Sequence, residues 1–548
     1  MFLLNSFKAV VLIGIFGRLA SLQINEASKY KSLADKNRFR ETKIAPPRGI
    51  IQDYFGNEIA SNNKIYQLHI VPDSTPDIDL LLFRLKNIIN LSNRKVSLLK
   101  KQIAKKKSWD TTIVSDNLTW EEFSKLNLFL HELQGAEPVV SVARFYTDSS
   151  SSHAIGYVSE ISANDIKSKT YLQNLNIEGV EIGKTGLESA LDEQMLGSPG
   201  YLRYEVNAYG KKIKQVATNK GLKGKTFRTT LDQSIQQVST DALQNVSGAV
   251  CVMDIYNGDI ISMVSAPNFN PNSFVHGINR DEWNALISNK DKPMLNKAVS
   301  GLYPPGSTIK TLTAISALEN DVVNSKLIIK CSGYVDLHGE RFHCWKKKGH
   351  GVVGMRTALK KSCDVYFYEV ARRLGIDRLS ATAKKFGLGQ KVLRDYREEK
   401  TGVVPSTKWK KRELGKNWYL GETLHSGIGQ GFFLTTPLQL SLMTAQIANG
   451  GFKITPRILV DVNEKVGNLE KYLNHKNLSP GNVMSTNDQI YNFNLQPLFR
   501  NQENINLVKD AMFAATNEIG GTSYKSRLED KKFMFAGKTG SSQIKRFT

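Results

Sequence analysis

Apolar residues recur at intervals of three and four from Leu80 to Lys105 and again from Glu121 to Gln134, the spacing that lines one face of an α-helix. Between such stretches lie short runs that alternate apolar and polar residues, Tyr66 to Val71 among them, and these predict strands. The N-terminal part is therefore mixed α+β. Gly and Lys crowd Ala217 to Lys225, which predicts a linker; Thr226 to Leu231 then alternates like a strand and opens a second domain. Within that domain Ala249 to Asp254 and Ile260 to Ser265 are β-type runs joined by Tyr256-Asn257-Gly258-Asp259, where Asn-Gly favours a tight hairpin turn. Farther on, Thr308 to Leu318 carries its apolar residues at helical spacing, and Pro304-Pro305-Gly306 breaks the chain ahead of it. Ser307 is thus expected at a helix N-terminus.

From Phe7 to Ile24 the chain is mostly apolar but carries Lys8 and Arg18. Its unbroken run, Ala9 to Gly17, is about half of the roughly 20 residues that a spanning helix needs. Ala20-Ser21-Leu22 is a poor cleavage site, so the expectation is an uncleaved membrane anchor over residues 1–24, shortened at its start. Lys29, Lys31, Lys36, Arg38 and Arg40 behind it would, by the positive-inside rule, keep the next domain in the cytoplasm. A chain that begins inside its own anchor, with no basic tail before Phe7, removes that conflict and leaves the domains outside.

A chain of 548 residues, 41% hydrophobic and 23% charged, can bury more than one core, so two or three globular domains are expected. The net charge of +23 draws it to polyanions: nucleic acid, anionic lipid or an acidic cell-wall polymer. No zinc-finger spacing, long basic block or ribonucleoprotein-like pattern of aromatics accompanies that charge, so no nucleic acid partner is expected. The four cysteines, Cys251, Cys331, Cys344 and Cys363, are too few for a disulfide scaffold and form no C-x-x-C pair. Cys331, His338, His343 and Cys344 lie close enough in sequence to hold zinc. A disulfide or free buried thiols is the expected state, and no cofactor or metal is called for.

Ser307-Thr308-Ile309-Lys310 is an S-x-x-K element whose spacing stacks both side chains on one helix face. A serine hydroxyl is a poor nucleophile until a neighbouring base takes its proton, and a lysine kept neutral serves as that base. Ser28, Ser92, Ser97 and Ser542 also head S-x-x-K, so the motif alone means little. What distinguishes Ser307 is its company: Ser362-Cys363-Asp364 in a stretch of helical spacing, then Lys538-Thr539-Gly540 after the apolar, strand-like Phe533 to Ala536. S-x-x-K, S-D-N and K-T-G group together in penicillin-interacting serine enzymes, and here Ser362-Cys363-Asp364 stands in the place of the second, with all three in that order. Ser362 can relay a proton to a leaving amine, and Asp364 can anchor Lys310 or a substrate amide. Lys538 and Thr539 can bind a peptide's terminal carboxylate, and Gly540 lets substrate backbone approach. The amides of Ser307 and Ser541 are the expected oxyanion hole.

Over nearly its whole length the chain resembles the class B penicillin-binding proteins of the elongation type. The segments Tyr303 to Lys310, Phe342 to Gly351, Ser362 to Tyr368, Trp418 to Thr423 and Gly427 to Gly431 carry the resemblance, and Pro405 to Lys410 points to the elongation type. In the N-terminal part, Asn37-Arg38, Pro46 to Gly56 and Gly183 to Glu188 resemble structural boxes of the family, in which Arg48 and Asp53 are expected to pair. The resemblance implies an α+β pedestal, a dimerisation-type domain over 25–225, and a transpeptidase domain over 226–548 with an antiparallel sheet flanked by helices. It implies acylation of the serine by a D-Ala-D-Ala stem peptide and attack by a neighbouring amine during cell-wall elongation. The implied location is the bacterial inner membrane with the catalytic domain in the periplasm. Implied partners are stem peptides, lipid-linked nascent glycan strands, a RodA-type glycosyltransferase and MreC, with β-lactams as inhibitors.

Tyr54 stands where the family has Arg, and Arg144 to Tyr157 lacks the usual Pro and Gly. The chain ends eight residues after Gly540 whereas the family continues, which suggests a domain truncated at its C-terminal strands. Two other readings stay open on sequence: a carboxypeptidase or β-lactamase that uses water, and a catalytically impaired scaffold of the elongation complex.

Overall fold

The computed structural model describes residues 12–26, 28, 31, 38–106, 110–173, 180–207, 212–393, 396–460, 484–486, 489–491 and 496–542. Phe7 to Val11 of the expected anchor, Lys29, Lys36 and Asn37 lie outside these. Residues 12–20 are helical and run into a π-turn at Ser21–Asn25. No helix among the described residues is long and apolar enough to cross a membrane.

The fold is α+β. Strand β1 (Phe39–Ile44) pairs antiparallel with β8 (Gly200–Val206), which pairs with β9 (Lys212–Asn219). β9 takes in part of the expected linker, since Ala217 lies opposite Arg203 and Asn219 opposite Tyr201. The Gly- and Lys-rich composition misled because this hairpin is largely solvent-facing, and polar side chains there cost the ladder nothing.

A second sheet has β3 (Glu58–Ile70) at its centre, paired with β2 (Ile51–Gln52), β4 (Thr112–Leu118) and β5 (Ala136–Tyr146), and β10 (Phe227–Arg228) joins β2 in parallel. Helix α1 (Ile78–Ile89) starts on Asp77, whose carboxylate accepts from the amides of Asp79 and Leu80, and stops at Asn90 in the left-handed region. Helix α2 (Asn93–Lys105) starts on Ser92, whose hydroxyl accepts from Lys95 N at 3.2 Å. The stretch predicted from Leu80 to Lys105 is thus two helices, and the S-x-x-K of Ser92 is a helix cap. Helix α3 (Trp120–Leu128) opens on a Thr119/Glu122 capping box. Leu81, Leu82 and Leu85 of α1, Leu99 of α2 and Leu126 of α3 bury against Leu68, Ile70 and Val114 of the sheet.

The expected hairpin forms from β11 (Gly248–Met253) and β12 (Ile260–Ala266), its turn fixed by Asp254, which accepts from Tyr256 N and Asn257 N. Met263 of β12, Leu231, and Leu438 and Leu442 of the 437–448 helix share one core with Ile51, Ile59 and Leu187. The N-terminal base and the C-terminal part are therefore packed together. Behind them α4 (Lys310–Glu319) is buried at every position from Lys310 to Leu318. A helix buried all round needs neighbours on all sides. These include α5 (Met355–Lys360), α6 (Asp364–Leu374) and α7 (Gln502–Asn517). Each fully buried Leu or Ile, such as Leu312 and Ile315, adds about 1.5–3 kcal/mol.

Arg48 does not pair with Asp53. Asp53 instead closes its own turn, accepting from Phe55 N, Asn57 N and Asn57 Nδ2. Arg48 reaches Glu188 at 2.7 Å and Asp192 at 2.8 Å, and Arg144 reaches the other Glu188 oxygen at 2.6 Å. The reason is burial: these four side chains are 7% exposed or less, so each charge must find an opposite one. Glu188→Ala leaves two buried guanidiniums short of a partner and is expected to cost about 3–5 kcal/mol in urea unfolding. Asp53→Ala, which frees only turn amides, is expected to cost less; equal losses would remove the cluster's special weight.

Candidate active site

Pro305 leads into Gly306–Ile309, a 3-10 turn that runs directly into α4. Ser307, half-buried, sits on this turn, and Lys310 begins the helix proper with no exposed surface. The Lys310 ammonium donates to Asp364 Oδ1 at 2.6 Å, Ser362 O at 3.0 Å and Ser362 Oγ at 3.3 Å. Three donors thus meet three acceptors, which is what a lysine without water requires.

Ser362 lies in the turn between α5 and α6, not inside a helix as the spacing predicted, and adopts φ 53°. A serine held in the left-handed region costs on the order of 1–3 kcal/mol, and the conformation persists because its surroundings fix it. Its carbonyl also accepts from the Trp345 indole at 3.0 Å, while Trp345 N donates to Asp364 Oδ2 at 2.8 Å. Trp345 therefore braces both ends of S-x-D although the residue is 60% exposed. In the sequence Trp345 stands only as part of the segment Phe342 to Gly351 that carries the family resemblance.

Lys538 comes to the same hydroxyl from the other side, donating to Ser362 Oγ at 2.9 Å. Burial of its amine, with the Lys310 charge adding, pushes its pKa down to about 7, and Asp364 opposes this. Thr539 Oγ1 donates to Thr522 Oγ1 at 2.9 Å. A Cβ on Gly540 would sit 2.8 Å from Thr308 Cγ2, so the K-T-G main chain lies directly against the serine turn. Ser541 O accepts from Gln430 Nε2 at 3.0 Å. Every residue expected to act, Ser307, Lys310, Ser362, Asp364, Lys538, Thr539, Gly540 and Ser541, is thereby brought to one place. The strand expected over Phe533 to Ala536 is not seen: Lys531–Phe533 is a 3-10 turn, and residues 534–540 carry no regular structure. An apolar run becomes a strand only beside a ladder partner, and no strand pairs with it among the described residues.

Beside S-x-D lies a second cluster. The Sγ atoms of Cys331, Cys344 and Cys363 and a ring nitrogen of His350 lie within 4.8 Å of one another, with Cys344 Sγ 3.5 Å and Cys331 Sγ 3.7 Å from His350 Nδ1. His338 and His343, the imidazoles expected there, are exposed on the Tyr334–Leu337/Glu340–His343 hairpin. Strand alternation explains this, since Phe342 and Cys344 point inward and His343 outward. All four cysteines are free thiols. The hydrogen bond from Cys363 lowers the Cys344 pKa to about 5 and raises that of Cys363 itself. Three thiols and one imidazole with converging donors fit tetrahedral zinc.

A hydroxyl on a helix-leading turn, a buried lysine beside it and a second lysine across a shared serine make up an active-site serine acyltransferase of the penicillin-interacting class. Residues 248–546 match the penicillin binding protein transpeptidase domain, and 43–229 the penicillin-binding protein dimerisation domain. The chain belongs to the penicillin-binding protein transpeptidase family. The peptidoglycan D,D-transpeptidase MrdA of Acinetobacter baumannii is 32% identical over 98% of this chain and 77% of its own length. That of Escherichia coli K12 is 31% identical over 99% and 84%. Among solved structures, the Helicobacter pylori penicillin-binding protein PBP2 in complex with MreC superposes with a TM-score of 0.77 at 27% identity, covering 92% of this chain and 89% of that one. Pseudomonas aeruginosa PBP2 in complex with WCK 5153 gives 0.65 at 27% identity, over 92% and 86%.

Metal analysis of chain purified without chelator is expected to find about one zinc per chain, falling in Cys344→Ser. Three titratable thiols and no metal in the folded chain would leave the cluster as buried thiols.

Proposed function

We propose that the chain is a peptidoglycan D,D-transpeptidase of cell-wall elongation, working through an acyl-enzyme at Ser307. The observation that carries this is Ser362 Oγ standing between the ammonium groups of Lys310 and Lys538 while Asp364 holds Lys310. Lys310, having first given up one of its own protons, takes the Ser307 proton as Oγ attacks the penultimate D-Ala carbonyl of a stem peptide. The amides of Ser307 and Ser541 receive the developing oxyanion. The proton passes from Lys310 through Ser362 to the departing D-Ala nitrogen as its C–N bond breaks. An amine of a second stem then attacks the ester, and Ser307 regains its proton. Lys538 as ammonium, with Thr539, binds the donor's terminal carboxylate.

The same reading takes residues 1–24 as a membrane anchor, 25–225 as the pedestal and 226–548 as the transpeptidase domain, which faces the periplasm. The likeness to a PBP2 solved with MreC supports an MreC partner, and a RodA-type glycosyltransferase supplies the nascent strands. β-Lactams acylate the same serine.

Purified chain incubated with a fluorescent penicillin is expected to become covalently labelled, and Ser307→Ala to lose all label. A folded wild-type chain that stays unlabelled would sink the enzyme reading.

The pKa of about 7 at Lys538 gives a sign to the pH dependence. Below it the amine is charged and pairs with a carboxylate; above it the amine is neutral and does not. The second-order acylation constant reports free-enzyme groups, so for a carboxylate-bearing penicillin it is expected to fall as pH rises through about 7. A carboxyl-esterified analogue is expected to lack that fall. A rate rising through the same range for both would mean that Lys538 acts as a base.

A further inference from the structure

The segment from Gly427 to Gly431 touches both halves of the candidate site. Gly306 N donates to Gly429 O at 2.9 Å, and a Cβ on Gly429 would come within 2.2 Å of Gly306 O. The segment is therefore pressed against the turn that bears Ser307. The next residue reaches the other half, where Gln430 Nε2 donates to Ser541 O at 3.0 Å. The halves also meet directly, because a Cβ on Gly306 would lie 2.5 Å from Ser541 O. Gln430 itself is anchored, its amide donating to His425 O at 2.9 Å.

We propose that Gln430 is a positioning residue of the oxyanion hole. Its carboxamide holds the Ser541 carbonyl, fixes the peptide on the far side of the Ser541 Cα, and so keeps the Ser541 N–H aimed at the oxygen that turns negative. On the near side, Gly540 packs against Thr308 and the Pro305 carbonyl, so the donor peptide is held from both ends. This inference rests on the transpeptidase reading, in which the amides of Ser307 and Ser541 are the two donors.

The clamp adds to the few other ties that this segment has. A sheet strand has its peptides oriented by neighbours on either side, whereas residues 534–540 pair with no strand among the described residues. Upstream of Lys538 the segment is tied by Gly537 N to Met512 O at 3.1 Å and by Asn517 Nδ2 to Phe535 O at 2.9 Å. Past Lys538, the hydrogen bond from outside the segment to its main chain, among the described residues, is that of Gln430. A donor displaced by about an ångström loses much of its effect on the transition state, since such stabilisation depends on donors already in place. The hydrogen bond also has a required direction: an ionised glutamate of the same size accepts only and would repel the Ser541 carbonyl.

The test compares wild type, Gln430→Leu and Gln430→Glu in full-length chain. Stopped-flow acylation by a fluorescent penicillin separates the saturating rate constant from the half-saturation concentration, and a donor ester is compared with its thionoester. Sulfur is a weak hydrogen-bond acceptor, so an intact hole favours the oxygen ester and a loosened one favours it less. The expected result is a saturating rate lower by about ten- to a hundredfold in both variants, smaller than the about 10²–10³ for outright loss of a donor. Half-saturation should stay close to wild type, and the preference for oxygen over sulfur should narrow. A merely structural residue would lower the rate without narrowing that preference, which would overturn the proposal. So would a folded Gln430→Glu that acylates at the wild-type rate; this variant carries the test if Gln430→Leu does not fold. An unlabelled wild type defeats the transpeptidase reading and this proposal together, whereas labelled wild type with unaffected variants defeats the proposal alone.

Discussion

The site is organised by the burial of one charge. Lys310 has no exposed surface, so its ammonium cannot be solvated and must be matched within the protein. Its acceptors, two atoms of Ser362 and one of Asp364, all come from the turn into α6, which pins the start of α4 to the start of α6. Ser362 offers its carbonyl and its hydroxyl to the same ammonium from a left-handed backbone at φ 53°. Leu312 and Ile315 of α4 share one buried core with Phe367 and Val370 of α6, and this core holds the helices close enough for it. The chemistry thus depends on a core contact, and the core contact is only tolerable because the lysine is paired.

Two lysines sharing one hydroxyl also set the electrostatic state. Asp364 accepts from Lys310 and from Trp345 N, so it has little left to offer Lys538. Burial of the Lys538 amine, and after it the charge of Lys310 nearby, makes a second full charge costly and pushes Lys538 down to about 7. The site lacks one negative charge for two protonated lysines, and in the proposed function a substrate carboxylate supplies it. Substrate recognition and the proton inventory are coupled through this deficit: the ligand that pairs with Lys538 also restores its proton.

The sequence made the site legible where chemistry forces residue type together with order. S-x-x-K, S-x-D and K-T-G needed no knowledge of packing, and all their residues meet around Ser307 and Ser362. What stayed hidden depended on tertiary partners. Arg48 has several acidic residues within reach along the chain, and burial, invisible in spacing, chose Glu188 and Asp192 over Asp53. The spacing of its neighbours predicts Ser362 in a helix, yet the turn there is set by the demand of Lys310. His350 could be told from His338 and His343 only by knowing which face of the hairpin is turned inward. Gln430 stood in a recognisable Gly-rich segment, but nothing local says that its carboxamide crosses to Ser541.

The two buried charge clusters follow the same rule with opposite consequences. In the Arg48–Glu188–Arg144 group each carboxylate oxygen of Glu188 faces a guanidinium, and a guanidinium does not give up its proton. That group acts as a permanent joint within the N-terminal base. Around Ser362 the cations are lysines, whose protons are exchangeable once the amine is desolvated. In the proposed mechanism, arginine in place of Lys310 would keep a positive charge and fix it there, leaving Ser307 without an acceptor for its proton and the leaving nitrogen without a donor. The difference between a structural and a reactive buried cation in this chain is therefore the choice of side chain, made where the proton has to move.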